Sequence, residues 1–178
     1  KYLLNTGFSA GQNFVPFLNP HQWETHYIVL NNVWAQVRWA NENGKTSVKS
    51  LSEILLHQIN DIEPDVLFIS DVPGFDFELI SHFKRRPLIV AWLATVVNHQ
   101  LPWHEIDVIL SGISEVRNKI HALGAKSAEK FMSAAPYYFQ ANRHHTRSNS
   151  IAFAGSFIPQ SYPHRYQHNT LQHLPQCS

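Results

Sequence analysis

Two loops of this chain carry side chains that can take a proton from a hydroxyl group. Asp71 directly follows the apolar run that ends at Ser70. His99 and His104 lie in a second loop, residues 98–105, which also contains Trp103. A carboxylate or an imidazole can act as a general base near neutral pH, and a tryptophan ring offers an apolar face for stacking. We therefore expect Asp71 or His99 as the base, and His99 lies closer than His104 to the end of the preceding strand.

Each of these two loops also has a purely structural interpretation. Asp71-Val72-Pro73-Gly74 has the composition of an ordinary turn. The histidine loop is equally consistent with a solvated connection in which Trp103 points inward and caps the core. The sequence leaves both alternatives open.

Small and polar residues mark further positions where a ligand can approach the backbone. Gly155 and Ser156 follow the apolar run Ile151–Phe157 and precede a helical stretch that begins at Pro163. A strand, a small-residue turn and a helix N-terminus form half of a nucleotide-binding unit. The other expected substrate contacts at strand ends are Gly7, Phe8, Thr95 and Ser111. The glycine turn at residues 6–11 lacks the GxGxxG pattern and is also consistent with a simple strand-to-helix turn.

Alternating strands and helices must position these loops. Helical spacing and capping residues predict helices over residues 47–63, 75–86 and 114–123. Apolar runs predict strands over residues 2–6, 26–32, 65–70, 88–94, 107–110 and 127–135, while residues 33–43 fit neither pattern clearly. This alternation predicts an α/β fold, a Rossmann-like parallel sheet with helices on both faces. In such a sheet, ligands bind beyond the carboxyl ends of the strands.

Composition excludes several classes of protein. Fourteen basic and thirteen acidic residues give a net charge of +1, which argues against a nucleic-acid surface. The single cysteine rules out an internal disulfide framework and fits a cytoplasmic location. We also expect no transmembrane segment. His164 and His168 lack a third ligand, so no metal site is expected.

The polar stretch at residues 142–149 is typical of a hinge between domains. We expect an N-terminal domain over residues 1–145. Residues 146–178 would then hold the hinge and the first strand and helix of a second, truncated domain.

An ordered series of motifs resembles glycosyltransferases of the GT-B fold, in the branch similar to spore maturation protein B. Pro64–Asp71 resembles the "PDVLxxxD" strand of that family, and Asp107–Ser111 resembles its "D-hydrophobic-S" strand. Glu115–Gly124 is similar to its helix ending in "LG", and Phe153-Ala154-Gly155-Ser156 with His164-Arg165 is similar to its "FxGS…HxxR" segment. Leu88–Thr95 corresponds to the strand between them, with Ala91-Trp92 where relatives often carry Gly-Gln.

The resemblance implies transfer of a sugar from a nucleotide-sugar donor to a carbohydrate or glycoconjugate acceptor in bacterial polysaccharide biosynthesis, without metal or other cofactor. The N-terminal domain would bind the acceptor and supply the base. Gly155, Ser156 and Arg165 would bind the donor diphosphate in the C-terminal domain. We expect this chain, with most of that domain missing, to transfer no sugar alone. A nucleotide-sugar epimerase of the same fold and a non-catalytic α/β binding module are the alternatives.

Overall fold

The computed structural model describes Leu18 and residues 21–132. Its elements in chain order are α1 (Val33–Glu42), α2 (Leu51–Ile62), β1 (Val66–Ile69), a 3-10 helix (Phe77–His82), β2 (Leu88–Trp92), a second 3-10 helix (Trp103–Glu105), β3 (Val108–Ser111), α3 (Ser114–Ala122) and β4 (Ala128–Lys130). The predicted strand over residues 2–6 and everything after residue 132 lie outside the described residues.

The four strands form one parallel sheet in the order β1-β2-β3-β4. Parallel neighbours require a crossover between each pair of strands, and the segments carrying the 3-10 helices and α3 provide them. The predicted Rossmann-like α/β class is therefore confirmed. Four of the expected strands appear: those near residues 66, 88 and 108 lie within a few residues of their predicted bounds, and the strand predicted over residues 127–135 is the shorter β4, Ala128–Lys130.

The core lies against one face of this sheet. Alternate residues of neighbouring strands, Ile69, Ile89, Ala91 and Ile109, are buried together with Val116 and Ile120 of α3. Right-handed crossovers in a 1-2-3-4 strand order all fall on the same face, which explains this placement. No side chain from the other face, such as Val90 or Leu110, belongs to a buried cluster of the described residues. A helix on that second face stays a prediction.

Helix α2 has the capping residues and the stop before Pro64 that its sequence predicts. The Ser50 hydroxyl accepts the backbone N–H of Glu53, and the Glu53 carboxylate accepts the backbone N–H of Lys49. The helix stops at Glu63, which adopts a left-handed conformation with φ 48° just before Pro64. Leu55 and Ile59 bury its inner side against Leu79. The helix is a few residues shorter at its N-terminus than predicted, because the cap is Ser50.

Two segments differ from their predicted secondary structure. Residues 26–32 form no strand; a turn from Val29 to Asn32 leads instead into α1, where Asn32 accepts the backbone N–H of Ala35. The helix predicted over residues 75–86 is only a six-residue 3-10 helix. Phe77, Ile80 and Phe83 recur every three residues and all contact the core, which suits a helix with three residues per turn.

Candidate cleft at the carboxyl ends of two strands

The carboxyl ends of β1 and β2 lie side by side, and polar residues follow both strands there. Ile69 and Ala91 are register partners at these ends. The chain then turns away from the sheet through Ser70-Asp71 on one side and through Leu93 to Thr95 on the other. Parallel pairing thus brings together two of the loops in which the sequence predicts substrate contacts.

A tight turn holds Asp71. The backbone N–H of Gly74 donates to Asp71 Oδ1 at 3.3 Å, and Val72 at the centre of the turn is fully buried. A Cβ atom at position 74 would lie 2.5 Å from Asp71 Oδ2, a distance that real Cβ contacts do not reach. The turn interpretation is therefore correct as far as the backbone is concerned. It also leaves the carboxylate exposed, and no second donor among the described residues contacts it.

The two loops enclose a small cleft of about 160 Å³. Its polar groups are Ser70, Asp71 and Thr95, and its other lining residues are Val72, Pro73, Trp92, Leu93 and Ala94. The predicted site residues Asp71 and Thr95 are thus brought together. Sequence reasoning missed Trp92, although strand alternation could have found it: Ile89, Ala91 and Leu93 are buried on one face, which places Trp92 on the other.

The histidine loop lies outside this cleft. Its tryptophan, Trp103, is 1% exposed and donates its indole N–H to the carbonyl of Asn98 at 2.9 Å. This burial leaves no ring face for a sugar and supports the alternative in which Trp103 caps the core. His99 and His104 are exposed, and His104 pairs with Glu105 at 3.5 Å. Neither histidine lines the cleft.

Ser111 serves the structure at the end of β3. Its hydroxyl is fully buried and accepts the backbone N–H of Ile113 at 3.3 Å. Its carbonyl accepts both Arg117 Nη1 at 2.8 Å and the backbone N–H of Phe131 at 3.2 Å. The expected substrate contact at Ser111 therefore has no open surface in this structure.

A larger cavity of about 380 Å³ lies between α1 and α2. Val37, Ala40, Lys45, Lys49 and Ile54 are among its lining residues, and no carboxylate or imidazole belongs to them. Its size alone does not make it the better candidate, because it offers neither of the two kinds of base, a carboxylate or an imidazole, that the sequence predicts.

The amino end of the sheet is built differently from the cleft. Asp107, 15% exposed, accepts both guanidinium nitrogens of Arg86 at 2.8 and 3.1 Å, Lys126 Nζ at 2.7 Å and the backbone N–H of Ile89 at 2.8 Å. Partial burial raises the pKa of Asp107, but the hydrogen bonds from Arg86, Lys126 and Ile89 outweigh it and hold the pKa at about 2. This carboxylate is therefore charged at neutral pH, and its hydrogen bonds hold three chain segments together.

Residues 21–132 contain no group of three histidine, cysteine, aspartate or glutamate side chains arranged to hold a metal ion. No helix in the same range is long and apolar enough to cross a membrane. The remaining predicted contacts, Gly7, Phe8, Gly155, Ser156 and Arg165, lie outside the described residues, as does the domain boundary predicted at residue 145. These therefore stay predictions.

Fold and site together define an α/β protein with a parallel sheet and a polar cleft at its carboxyl edge. No protein family, no curated protein and no solved structure gives a significant match to this chain.

Proposed function

We propose that this chain supplies the acceptor-binding side of a glycosyltransferase that uses a nucleotide sugar as donor. The proposal rests on the observation that Asp71 and Thr95 line the same cleft at the carboxyl edge of the parallel sheet. Ligands bind at this edge in open α/β sheets. The resemblance to GT-B glycosyltransferases supports the same function; it includes the two segments that line the cleft and extends to the predicted donor segment.

Asp71 is the proposed base. Its carboxylate is exposed, it lines the cleft, and its Oδ1 is oriented by the Gly74 N–H at 3.3 Å. A base must lie within hydrogen-bonding reach of the hydroxyl it deprotonates, and a bound acceptor in this cleft would meet that requirement. His99, the other base predicted from sequence, does not line the cleft, so we rank it second.

The volume of the cleft supports the proposal that it binds the acceptor and that other residues bind the donor. About 160 Å³ is well below the roughly 300–1,000 Å³ typical of sites that enclose a drug-sized ligand. A nucleotide sugar therefore needs surface beyond these two loops. We propose that Gly155, Ser156 and Arg165 bind the donor diphosphate through backbone N–H groups and a guanidinium.

Transfer of a radiolabelled sugar by the natural full-length protein tests the proposal. The assay pairs a panel of nucleotide sugars with a panel of sugar acceptors. We expect Asp71→Asn to lower kcat by about 100-fold or more, the size of a general-base contribution. Asp65→Asn is the matched control, since Asp65 is also an exposed aspartate beside β1 but lies at its amino end.

Three outcomes would count against the proposal or a part of it. Full activity of the Asp71→Asn variant would remove the base. Conversion of a nucleotide sugar to its epimer without any acceptor would instead establish the epimerase alternative. Absence of transfer across the whole panel, combined with tight binding of a sugar, would favour the binding module.

A further inference from the structure

We infer that the cleft takes an uncharged polyhydroxylated ring, a single neutral sugar unit, and discriminates against phosphorylated or carboxylated ones. The inference rests on the proposed function for its role in catalysis, but the binding it describes can be measured alone. It follows from the charge, the free hydrogen-bonding groups, the apolar residues and the size of the cleft.

Charge gives the first argument. Among residues 21–132, Asp71 is the only ionisable residue that lines the cleft, and no lysine, arginine or histidine of that range is among its lining residues. Arg85 and Arg86 lie at the amino end of the sheet, where they pair with Asp65 and Asp107, and Arg117 donates to the Ser111 carbonyl. A phosphate or carboxylate in the cleft would face a like charge with no compensating cation.

The second argument concerns hydrogen bonding. The hydroxyls of Ser70 and Thr95 make no hydrogen bond within residues 21–132, and Asp71 accepts only one. Each hydroxyl can donate and accept, whereas the carboxylate only accepts. Neighbouring hydroxyls of a sugar ring both donate and accept, so they match this set. A bare apolar ligand would leave all three groups unsatisfied.

The apolar residues give the third argument. Val72 and Leu93 are buried and offer a ligand no surface, so the open apolar surface of the cleft comes from Pro73 and Ala94, which are exposed, and from half-buried Trp92. A sugar ring has a C–H face that packs on such surface, and an indole is well suited to that contact. The volume of about 160 Å³ limits the occupant to about one ring when it is compared with sites for larger ligands.

Amide chemical shifts of the ¹⁵N-labelled 178-residue chain test this inference without a donor. The probes are methyl glucoside, methyl galactoside and N-acetylglucosamine as neutral rings, with glucose 6-phosphate and glucuronic acid as their anionic counterparts. We expect at least one neutral ring to shift the amides of Ser70, Asp71 and Thr95. We expect the anionic counterparts to bind about tenfold more weakly, as one unscreened like-charge contact predicts.

Two variants make the test specific. Asp71→Asn should weaken binding of the neutral ring and strengthen binding of the anionic one, because it removes an acceptor and a negative charge together. Thr95→Val should weaken the neutral ring about fivefold through loss of one hydroxyl contact. Thr46→Val is its matched control, since Thr46 lines the larger cavity between α1 and α2.

The inference is overturned if an anionic sugar binds the natural chain as tightly as its neutral counterpart, or if no neutral ring shifts these amides. Selective binding of a neutral sugar by a protein that transfers nothing would refute the proposed transferase and leave this assignment intact. The reverse result, transfer of a sugar to a phosphorylated acceptor, would support the proposed transferase function. It would refute the inference that the cleft prefers neutral sugars.

Discussion

Asp71 and Asp107 lie at opposite ends of the same sheet and have opposite surroundings. Asp107 accepts hydrogen bonds from two cations and a backbone N–H, whereas Asp71 accepts one backbone N–H at 3.3 Å. Both are aspartates beside a strand, so residue type does not distinguish them. The number of donors does, because a carboxylate surrounded by its own chain has no capacity left for a substrate. Position relative to strand direction then indicates which one is available for chemistry.

The sharpest test of this difference is to remove each side chain and measure unfolding in urea. We expect Asp107→Ala to lower the free energy of unfolding by about 3 kcal/mol, because it leaves Arg86 and Lys126 as adjacent like charges and the buried Ile89 N–H without its partner. Asp71→Ala should change it far less. Asp65→Ala is a second control, since the Asp65 side chain is 88% exposed in its pair with Arg85. Equal losses for Asp71 and Asp107 would contradict the comparison.

The pH dependence of stability should also reveal the hydrogen bonds of Asp107. The pKa of Asp107 is lowered to about 2 in the folded protein, so its contribution is complete above the unfolded value of 3.8 and is lost as pH falls through the folded value. We expect the chain to lose about 2 kcal/mol of stability between about pH 4 and pH 2 from this group. Unfolding curves at pH 6, 4, 3 and 2 measure it. Asp107→Asn should be less stable than the natural chain at pH 6, and the gap should close by pH 2; a constant gap would refute the assignment.

Orientation of Asp71 can be disturbed without removing it. In Gly74→Ala the new Cβ would lie 2.5 Å from Asp71 Oδ2, so the carboxylate must rotate away. We expect about a tenfold loss of transfer activity or of neutral-sugar affinity, roughly the effect of misplacing one hydrogen-bonding group. Stability should change little, because an exposed carboxylate can move into solvent. Unchanged affinity in Gly74→Ala would show that the orientation of Asp71 is irrelevant.

Much of the sheet could be predicted from the sequence, because its signals are local. The signal for each element is contained in a few consecutive residues. This holds for the apolar runs at Val66, Leu88 and Val108 and for the cap at Ser50. Residues 26–32 show where this fails: their composition suits a strand, but pairing depends on a distant partner that local sequence does not specify. The helix at Val33–Glu42 was missed for the related reason that its tryptophans and valines favour strands as much as helices.

The site was predicted in outline and not in detail. Asp71 and Thr95 follow from the rule that parallel strands present their carboxyl ends to ligands. Trp103 shows the limit, since either orientation of its ring satisfied the sequence, and a single hydrogen bond to the Asn98 carbonyl fixes the inward one. The commitment of Ser111 was equally hidden, because Arg117 and Phe131 reach its carbonyl from a helix and a later segment.

The C-terminal end of helix α2 is a position where one substitution should stabilise the protein. Glu63 adopts its φ of 48° with a side chain that disfavours this region, and helices that end in this left-handed conformation usually place glycine there. Replacing it with glycine removes that strain, and its salt-bridge partner Lys84 lies 4.0 Å away, too far to contribute much. A rise of a few degrees in the melting temperature of Glu63→Gly, with sugar affinity unaltered, would supply a sturdier background for every variant described above.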